Sequence, residues 1–482
     1  MKDVARLALD TAAARGADYA DVRAIHFTRE DLRVKNGEVG GLDQSESSGV
    51  GVRVLVRGAW GFAATDDLTK EGVEHCAALA VEIGRASAGL VHEPVRLAPE
   101  PPHRAVWNSQ CAIDPFAVPL EQKLDLLFRV DAEMRRVKGV KNAESFLSFE
   151  RKRQFFLSTE GSDIEQTVTH SGGGYTSTAV SAGEVQRRSF PQSEGHFQTL
   201  GYEFVQSLPL VENAQRIAEE SVALLTADQC PAGEFDVILE GSQLALQIHE
   251  SVGHPTELDR VLGMEANYAG TSFLTLDKQN TLRFGSKKVN LVADATLEHG
   301  LGSFAFDDDG VEAQRWHIVE DGLFVGYLTS RELAHRVGEA RSRGCVRSDG
   351  WHHIPMIRMV NLSLMPGEGS FEDLLRDTDH GIYMETNRSW SIDQLRYNFQ
   401  FKTELAWEIK KGKRVRLLKN PTYQGITTQF WNSCDFICGS EEWKPWGVIN
   451  CGKGQPGQVA QITHGAAPSR FRKIRVGAGY DD

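Results

Sequence analysis

The strongest constraint on how this chain folds is a pair of long stretches in which apolar and polar residues alternate, with glycine set between the runs. The first extends from Asp18 to about Thr65 and contains ADVRAIHF, DLRVKNGEVGGL and GVGVRVLVRGAWGFAAT. A period of two places every second side chain on one face, as a half-buried strand requires. Asn36-Gly37 falls between two such runs, and both residue types accept the positive φ of a tight hairpin turn. The second stretch, residues 143 to 190, reads as a meander, with Gly172, Gly173 and Gly174 as one of its turns. Helical spacing flanks these strands at residues 2–15, 67–88, 119–137 and 210–226.

A chain of 482 residues exceeds one small core. The expectation is two domains, 1–227 and 228–482, divided in the segment ADQCPAGEF with its Pro231 and Gly233. The second half opens with a strand, FDVILE, and a helix, SQLALQIHESVGH, for which Ser242 is the candidate cap. Further strands are expected in LVADATL, QRWHIVEDGLFVGYL, IRMVNLSLM, GIYMET and WEIKKGKRVRLLKN, the last a hairpin turning at Gly412. The class is therefore α+β, with mostly antiparallel sheets and the motif helix in the C-terminal domain.

Charge narrows the function. Lys and Arg number 53 against 66 Asp and Glu, a net charge of −13, which argues against nucleic-acid binding and against a basic membrane-binding face. No apolar run approaches the roughly 18 residues of a spanning helix. The N-terminal stretch also lacks the apolar core of a secretory signal, so a cytoplasmic protein is expected. Seven cysteines, sparse and odd in number, do not describe a disulfide scaffold.

The sharpest chemical feature is His249-Glu250-Ser251-Val252-Gly253-His254. In the common H-E-x-x-H zinc motif the histidines are four apart and share one helix face. Here they are five apart. An ideal helix turns by about 500° over five residues, which leaves the rings roughly 140° apart. Two distortions repair this. One is a π-type turn, which adds a residue. The other ends the helix at a left-handed Gly253, with Pro255 restricting His254 to extended backbone. With both rings on Zn²⁺, Glu250 would lie beside the metal as general base. A catalytic zinc takes a third protein ligand. Spacing leaves Cys451, Cys434, Cys438, Glu257, Asp259 and His299 open for that place.

The stretch HESVGHPTELDRVLGMEANYAGTSF resembles the metal-binding segment of the TldD/PmbA peptidase family. GVGVRVLVRGAWGFAAT, FAFDDDGVEAQRWHIVEDGLFVGYL, IRMVNLSLMPGEGS, GIYMETNRSW and VINCGKGQPGQ resemble other family segments in the same order, across nearly the whole chain. Of the family's two kinds of chain, the TldD kind carries H-E-x-x-x-H. The resemblance implies a zinc metallopeptidase with His249, His254 and Cys451 as ligands and Glu250 as base. It also implies unstructured or precursor peptides as substrates. The expected assembly is a two-chain particle, either a homodimer or a heterodimer with a metal-free relative. A thiolate ligand donates charge to the metal, weakening it as a Lewis acid and making Glu250 matter more. Pro255 departs from the small residue expected after the second histidine, which bears on the local backbone more than on the ligands.

Two rival readings compete with this one. An H-E-x-x-G-H dipeptidyl peptidase needs a second glutamate-bearing helix, and the nearest candidate, Ser440-Glu441-Glu442-Trp443, runs into Pro445. A non-catalytic binding subunit would not need an intact His249, Glu250 and His254. Elsewhere the plain readings are preferred. Cys434 and Cys438 read as structural thiols, Asp307, Asp308 and Asp309 as a solvated turn, and His352-His353 as packing beside Trp351.

Overall fold

The computed structural model describes residues 1–477. Helix α1 (Lys2–Ala14) leads into β1 (Tyr19–Lys35), β2 (Glu38–Val56) and β3 (Ala59–Thr65), followed by α2 (Lys70–Ser87). β1 and β2 form a long antiparallel hairpin through Asn36-Gly37, both at positive φ, as the sequence predicts. Valines 50, 52 and 54 of β2 and Ala20, Val22 and Ala24 of β1 face α1 and α2, and this packed layer is one of the hydrophobic cores.

The proline-bearing stretch after α2 contributes a short strand that alternation does not reveal, β4 (Arg104–Asn108). Next come α3 (Leu120–Arg135), β5 (Val140–Ser158), β6 (Asp163–Ser181), β7 (Glu184–Phe190) and β8 (His196–Gln198), then α4 (Tyr202–Ser207) and α5 (Leu210–Ala223). Together these strands make one eight-stranded sheet, in the order β3-β2-β1-β5-β6-β4, with β7 and β8 paired to β6.

Gly172, Gly173 and Gly174 are not a turn. They lie within β6, where β8 crosses them in the register Gly172↔Phe197 and Gly173↔His196. A Cβ on Gly172 would stand 2.2 Å from the His196 carbonyl oxygen, and one on Gly174 would stand 2.6 Å from Gly195 Cα. These glycines serve close backbone approach rather than chain reversal.

The second half begins with β9 (Asp228–Gln229), β10 (Gly233–Leu239) and α6 (Gly241–Ile248), then α7 (Leu258–Val261). A four-stranded sheet gathers β11 (Leu291–Asp294), β12 (Arg315–Glu320), β13 (Leu323–Phe324) and, after the small β14 (Val346–Arg347) and β15 (Met356–Ile357) pair, β16 (Asn361–Leu364). Beyond α8 (Phe371–Arg376) lie β17 (His380–Ile392), β18 (Asn398–Lys410), β19 (Lys413–Lys419), β20 (Thr422–Ile426), α9 (Thr427–Asn432) and β21 (Cys434–Ile437). A two-stranded ribbon, β22 (Lys444–Lys453) and β23 (Gln458–Ala466), precedes β24 (Ser469–Val476). The second large sheet runs β17-β10-β24-β20-β18-β19-β9, with β21 beside β24. Ladders are mostly antiparallel, so the α+β reading holds. No helix among the described residues is long and apolar enough to cross a membrane.

Asp307, Asp308 and Asp309 are not a solvated turn either, being 2%, 4% and 4% exposed. Asp309 Oδ1 accepts from Arg53 Nη2 at 2.7 Å, and Asp308 Oδ1 accepts from Gln154 Nε2 at 2.7 Å. Asp307 accepts three backbone N–H bonds, from Asp309, Val311 and Val346. The triplet ties the loop before β12 to the first sheet. Three adjacent carboxylates in a loop resemble a wet surface until those partners from distant sequence are known.

Candidate metal centre

β10 delivers the chain into α6, and Glu240, not Ser242, caps that helix by accepting from Ser242 N at 2.8 Å. At Ile248 the α-helix passes into a π-helical turn, His249–Gly253, and then into a 3-10 turn, His254–Thr256. The His254 N–H reaches back to His249 O, an i→i+5 bond that takes up the extra residue between the histidines. Their ring centroids stand 4.9 Å apart and the planes are near perpendicular, at 88°.

Of the two repairs weighed from sequence, the π turn is the one adopted. Gly253 is right-handed, with φ −61°, and His254 is helical, with φ −57° and ψ −42°, despite the proline that follows it. Gly253 is needed for space. A Cβ there would stand 2.0 Å from the sulfur of Met359, which is fully buried.

Cys451 arrives on β22 from nearly two hundred residues away. Its Sγ lies 3.8 Å from His254 Nε2, and the ligand atoms of His249, His254 and Cys451 all fall within 4.8 Å of one another. All three residues are buried.

The other ligand candidates are engaged elsewhere. Glu257 Oε2 pairs with His254 Nδ1 at 2.9 Å. Asp259 accepts from Lys453 Nζ at 2.7 Å. Cys434 and Cys438 sit in separate hydrophobic clusters, and His299 is in a loop beside Glu298. A second donor group, Asp349, His352 and His353, is more exposed, and His353 Nδ1 already meets Asp349 Oδ1 at 2.6 Å.

Partners fix the histidine tautomers. His464 Nδ1 lies 2.7 Å from the Leu362 carbonyl oxygen, which only accepts, so Nδ1 carries the proton and Nε2 a lone pair. His249 Nδ1, 2.8 Å from that Nε2, must then donate, which leaves His249 Nε2 bare. The Glu257 carboxylate does the same for His254. Each imidazole thus offers its Nε2, the arrangement in which an outer partner orients a metal-ligating ring.

Electrostatics prepare the site for a cation. Burial would raise the Cys451 thiol, but Arg358 and His254 outweigh it and hold the thiol below its ordinary value. Arg358 Nη2 is 3.3 Å from the sulfur. Burial opposes charge on His254, yet Cys451 and Glu257 hold it up. Burial likewise opposes ionisation of Glu257, and Lys453 and His254 overcome it. Glu250 is 5% exposed and pairs with Arg396 Nη1. Burial raises this carboxyl, but His254, Arg396 and His249 together keep it below the usual range.

Sequence reasoning missed Arg396, His464, Arg358 and Lys453. Arg396 sits at positive φ on the turn between β17 and β18. His464 and Arg358 occupy ordinary strand-like runs, where nothing distinguishes them from packing residues.

The chain matches three family models. They are PmbA/TldA metallopeptidase domain 1 over residues 20–84, the central domain over 113–227 and the C-terminal domain over 232–476. A metalloprotease of Methanocaldococcus jannaschii is 31% identical over 85% of this chain and 87% of its own length. A zinc metalloprotease TldD homolog of Saccharolobus solfataricus is 21% identical over 96% of this chain and 97% of its own. In fold, TldE from Thermococcus kodakarensis superposes with a TM-score of 0.74 at 14% identity, covering 98% of this chain and all (100%) of that one. The family models span nearly all of both halves, and the chain belongs to the PmbA/TldA (TldD/PmbA) metallopeptidase family.

Proposed function

We propose that the chain is a zinc-dependent peptidase in which His249, His254 and Cys451 hold the metal and Glu250 is the general base. The observation that carries this is the convergence of three ligand atoms, two imidazole nitrogens and a sulfur, within 4.8 Å of one another. A tetrahedral zinc with ordinary Zn–S and Zn–N bonds separates sulfur from nitrogen by about 3.6 Å. Cys451 Sγ and His254 Nε2 are 3.8 Å apart, close to that spacing, which supports the reading.

When bound, zinc would supply Lewis acidity toward water and the scissile carbonyl. The residues around it supply the rest. Glu250 accepts the proton of the attacking water and passes it to the leaving amine. Arg396 keeps Glu250 ionised and fixes its carboxylate. Its own Nε is buried without an acceptor, and in this reading it is the donor that meets negative charge developing on the substrate. His464 and Glu257 hold the two imidazoles in the ligating tautomer.

The substrates in this reading are unstructured or precursor peptides. Supporting it, the β22 strand that carries Cys451 pairs with β23 and with no other strand among the described residues, and strand pairing is one way an extended chain is held. The assembly in this reading is a dimer, with a second copy or a metal-free relative. The dipeptidyl-peptidase rival gains nothing, since Glu441 and Glu442 lie in a turn and Glu442 accepts from Phe371 N. The test is Glu250→Gln. Peptide cleavage should fall at least about 100-fold while zinc content stays at the wild-type level. Retained cleavage would overturn the assignment of the base.

A further inference from the structure

Where the first sheet meets the β22–β23 ribbon, a cavity of about 350 Å³ opens. This is within the range of small-ligand sites. Phe27, Phe304 and Phe306 form an aromatic wall.

Polar side-chain atoms that are buried and unpartnered gather around this one cavity. They are Gln154 Oε1 and Arg347 Nε, while His170 on the same wall is paired with Glu150 at 3.8 Å and bonded to Gln461. Such atoms are rare in folded proteins, and those on residues that line one cavity call for an explanation there.

Charge accounting says what kind of partner. Four carboxylates border the cavity and each is engaged. Glu150 is held by Arg29 at 2.6 Å. Asp308 is taken by Gln154 Nε2, Ser348 N and, at 3.6 Å, Arg23. Asp307 is held by its three backbone N–H bonds. Asp349 is held by His353 at 2.6 Å and by Val459 N at 3.0 Å.

Two cations have no carboxylate within ion-pairing distance. Asp308 and Glu150 act on the Lys152 ammonium only from beyond that distance. Arg347 spends its terminal nitrogens on the carbonyls of Gln461 and Met359. Burial pushes Lys152 down, and burial together with Arg358 pushes Arg347 down to about 10. For Lys152 the distant pull of Asp308 and Glu150 does not offset burial.

We propose that this cavity binds the end of a peptide. Lys152 and Arg347 would meet the free α-carboxylate, the three phenylalanines would surround an apolar last side chain, and Gln154 would accept its amide hydrogen. Val459 to Gln461 form one wall, and the register Cys451↔Ala460 sets that wall one strand from the metal centre. The cavity is therefore an anchor for chain ends, an inference that rests on the reading of peptides as substrates.

The test is calorimetry on the full chain stripped of metal, so that binding is read without turnover. The probes are N-acetyl-Ala-Ala-Phe as the free acid and as the C-terminal amide, the same acid ending in Asp, and inorganic phosphate. The acid should bind at least about tenfold tighter than the amide, and the Phe-ending acid tighter than the Asp-ending one. Lys152→Met should erase most of the preference for acid over amide. Equal binding of acid and amide to the wild-type chain would overturn the proposal. So would a preference that survives Lys152→Met, or phosphate binding as tightly as the Phe acid. Cleavage that is intact while acid and amide bind equally would sink the anchor alone. Acid preference in a chain that holds no zinc and cleaves nothing would sink the catalytic reading alone.

Discussion

His464 Nε2 lies 2.8 Å from His249 Nδ1 and stands between that ring and the Leu362 carbonyl. This neutral, fully buried relay dictates which nitrogen of His249 is bare. His464→Ala removes the acceptor and frees the ring to rotate or change tautomer. Zinc affinity, measured by competition with a chromogenic chelator, should fall about 10- to 100-fold. His464→Gln, whose amide oxygen can accept from Nδ1, should recover part of the loss. Unchanged affinity in His464→Ala would mean the relay orients nothing.

Gly253 should tolerate no side chain. Ala at this position meets the Met359 sulfur at 2.0 Å, inside a core where overpacking costs about 1–3 kcal/mol. Gly253→Ala should lower stability in urea titration by about 2 kcal/mol and weaken zinc binding. Adding Met359→Ala, which opens the space, should restore zinc binding. A destabilised double variant that still binds no zinc would point to backbone freedom at Gly253 instead.

Arg396 pairs with Glu250 and keeps an unpartnered Nε beside it. Arg396→Ala should lower kcat by about 100-fold, the usual scale for losing a donor to developing charge. KM should change little. A rise in KM with kcat intact would make Arg396 a substrate-binding group only.

Asp309 joins two parts of the chain, accepting from Arg53 and, through Oδ2, from Arg331 N at 3.1 Å. Asp309→Ala leaves Arg53 with Asp21 alone, at 2.8 Å, in a buried setting. Removing one partner of a buried pair costs about 3–5 kcal/mol. Thermal unfolding should show this as a clear drop in Tm, whereas a change within error would mean that Asp21 suffices.

Acid should destabilise the fold through His196. Burial, with Lys444 adding to it, lowers this imidazole to about 4, and its ring packs on Trp446 and Phe204. The unfolded chain, with an imidazole near 6.5, binds more protons between these two values. Stability is therefore present above about pH 6.5 and lost as pH falls toward 4. This group should make the protein about 2 kcal/mol less stable at pH 5 than at pH 7. His196→Phe should remove that part of the urea-measured pH dependence.

Local pattern carried much of the architecture. The β1–β2 hairpin, the four long helices and the hairpin through Gly412 announce themselves by period and turn residues, which depend on near neighbours alone. The misreadings share one cause, partners remote in sequence. Gly172 to Gly174 face a strand more than twenty residues later, and Asp307 to Asp309 meet Arg53 and Gln154. At the site, His249, Glu250 and His254 are legible because one turn of chain carries them all. His464 and Arg396 are not, since only the fold brings them there.

The central claim is that His249, His254 and Cys451 hold a zinc ion. Anomalous scattering on either side of the zinc edge, from crystals of protein purified without chelator, tests it most directly. The account predicts one strong zinc peak bonded to His249 Nε2, His254 Nε2 and Cys451 Sγ. No peak there, or zinc only at Asp349, His352 and His353, would contradict it.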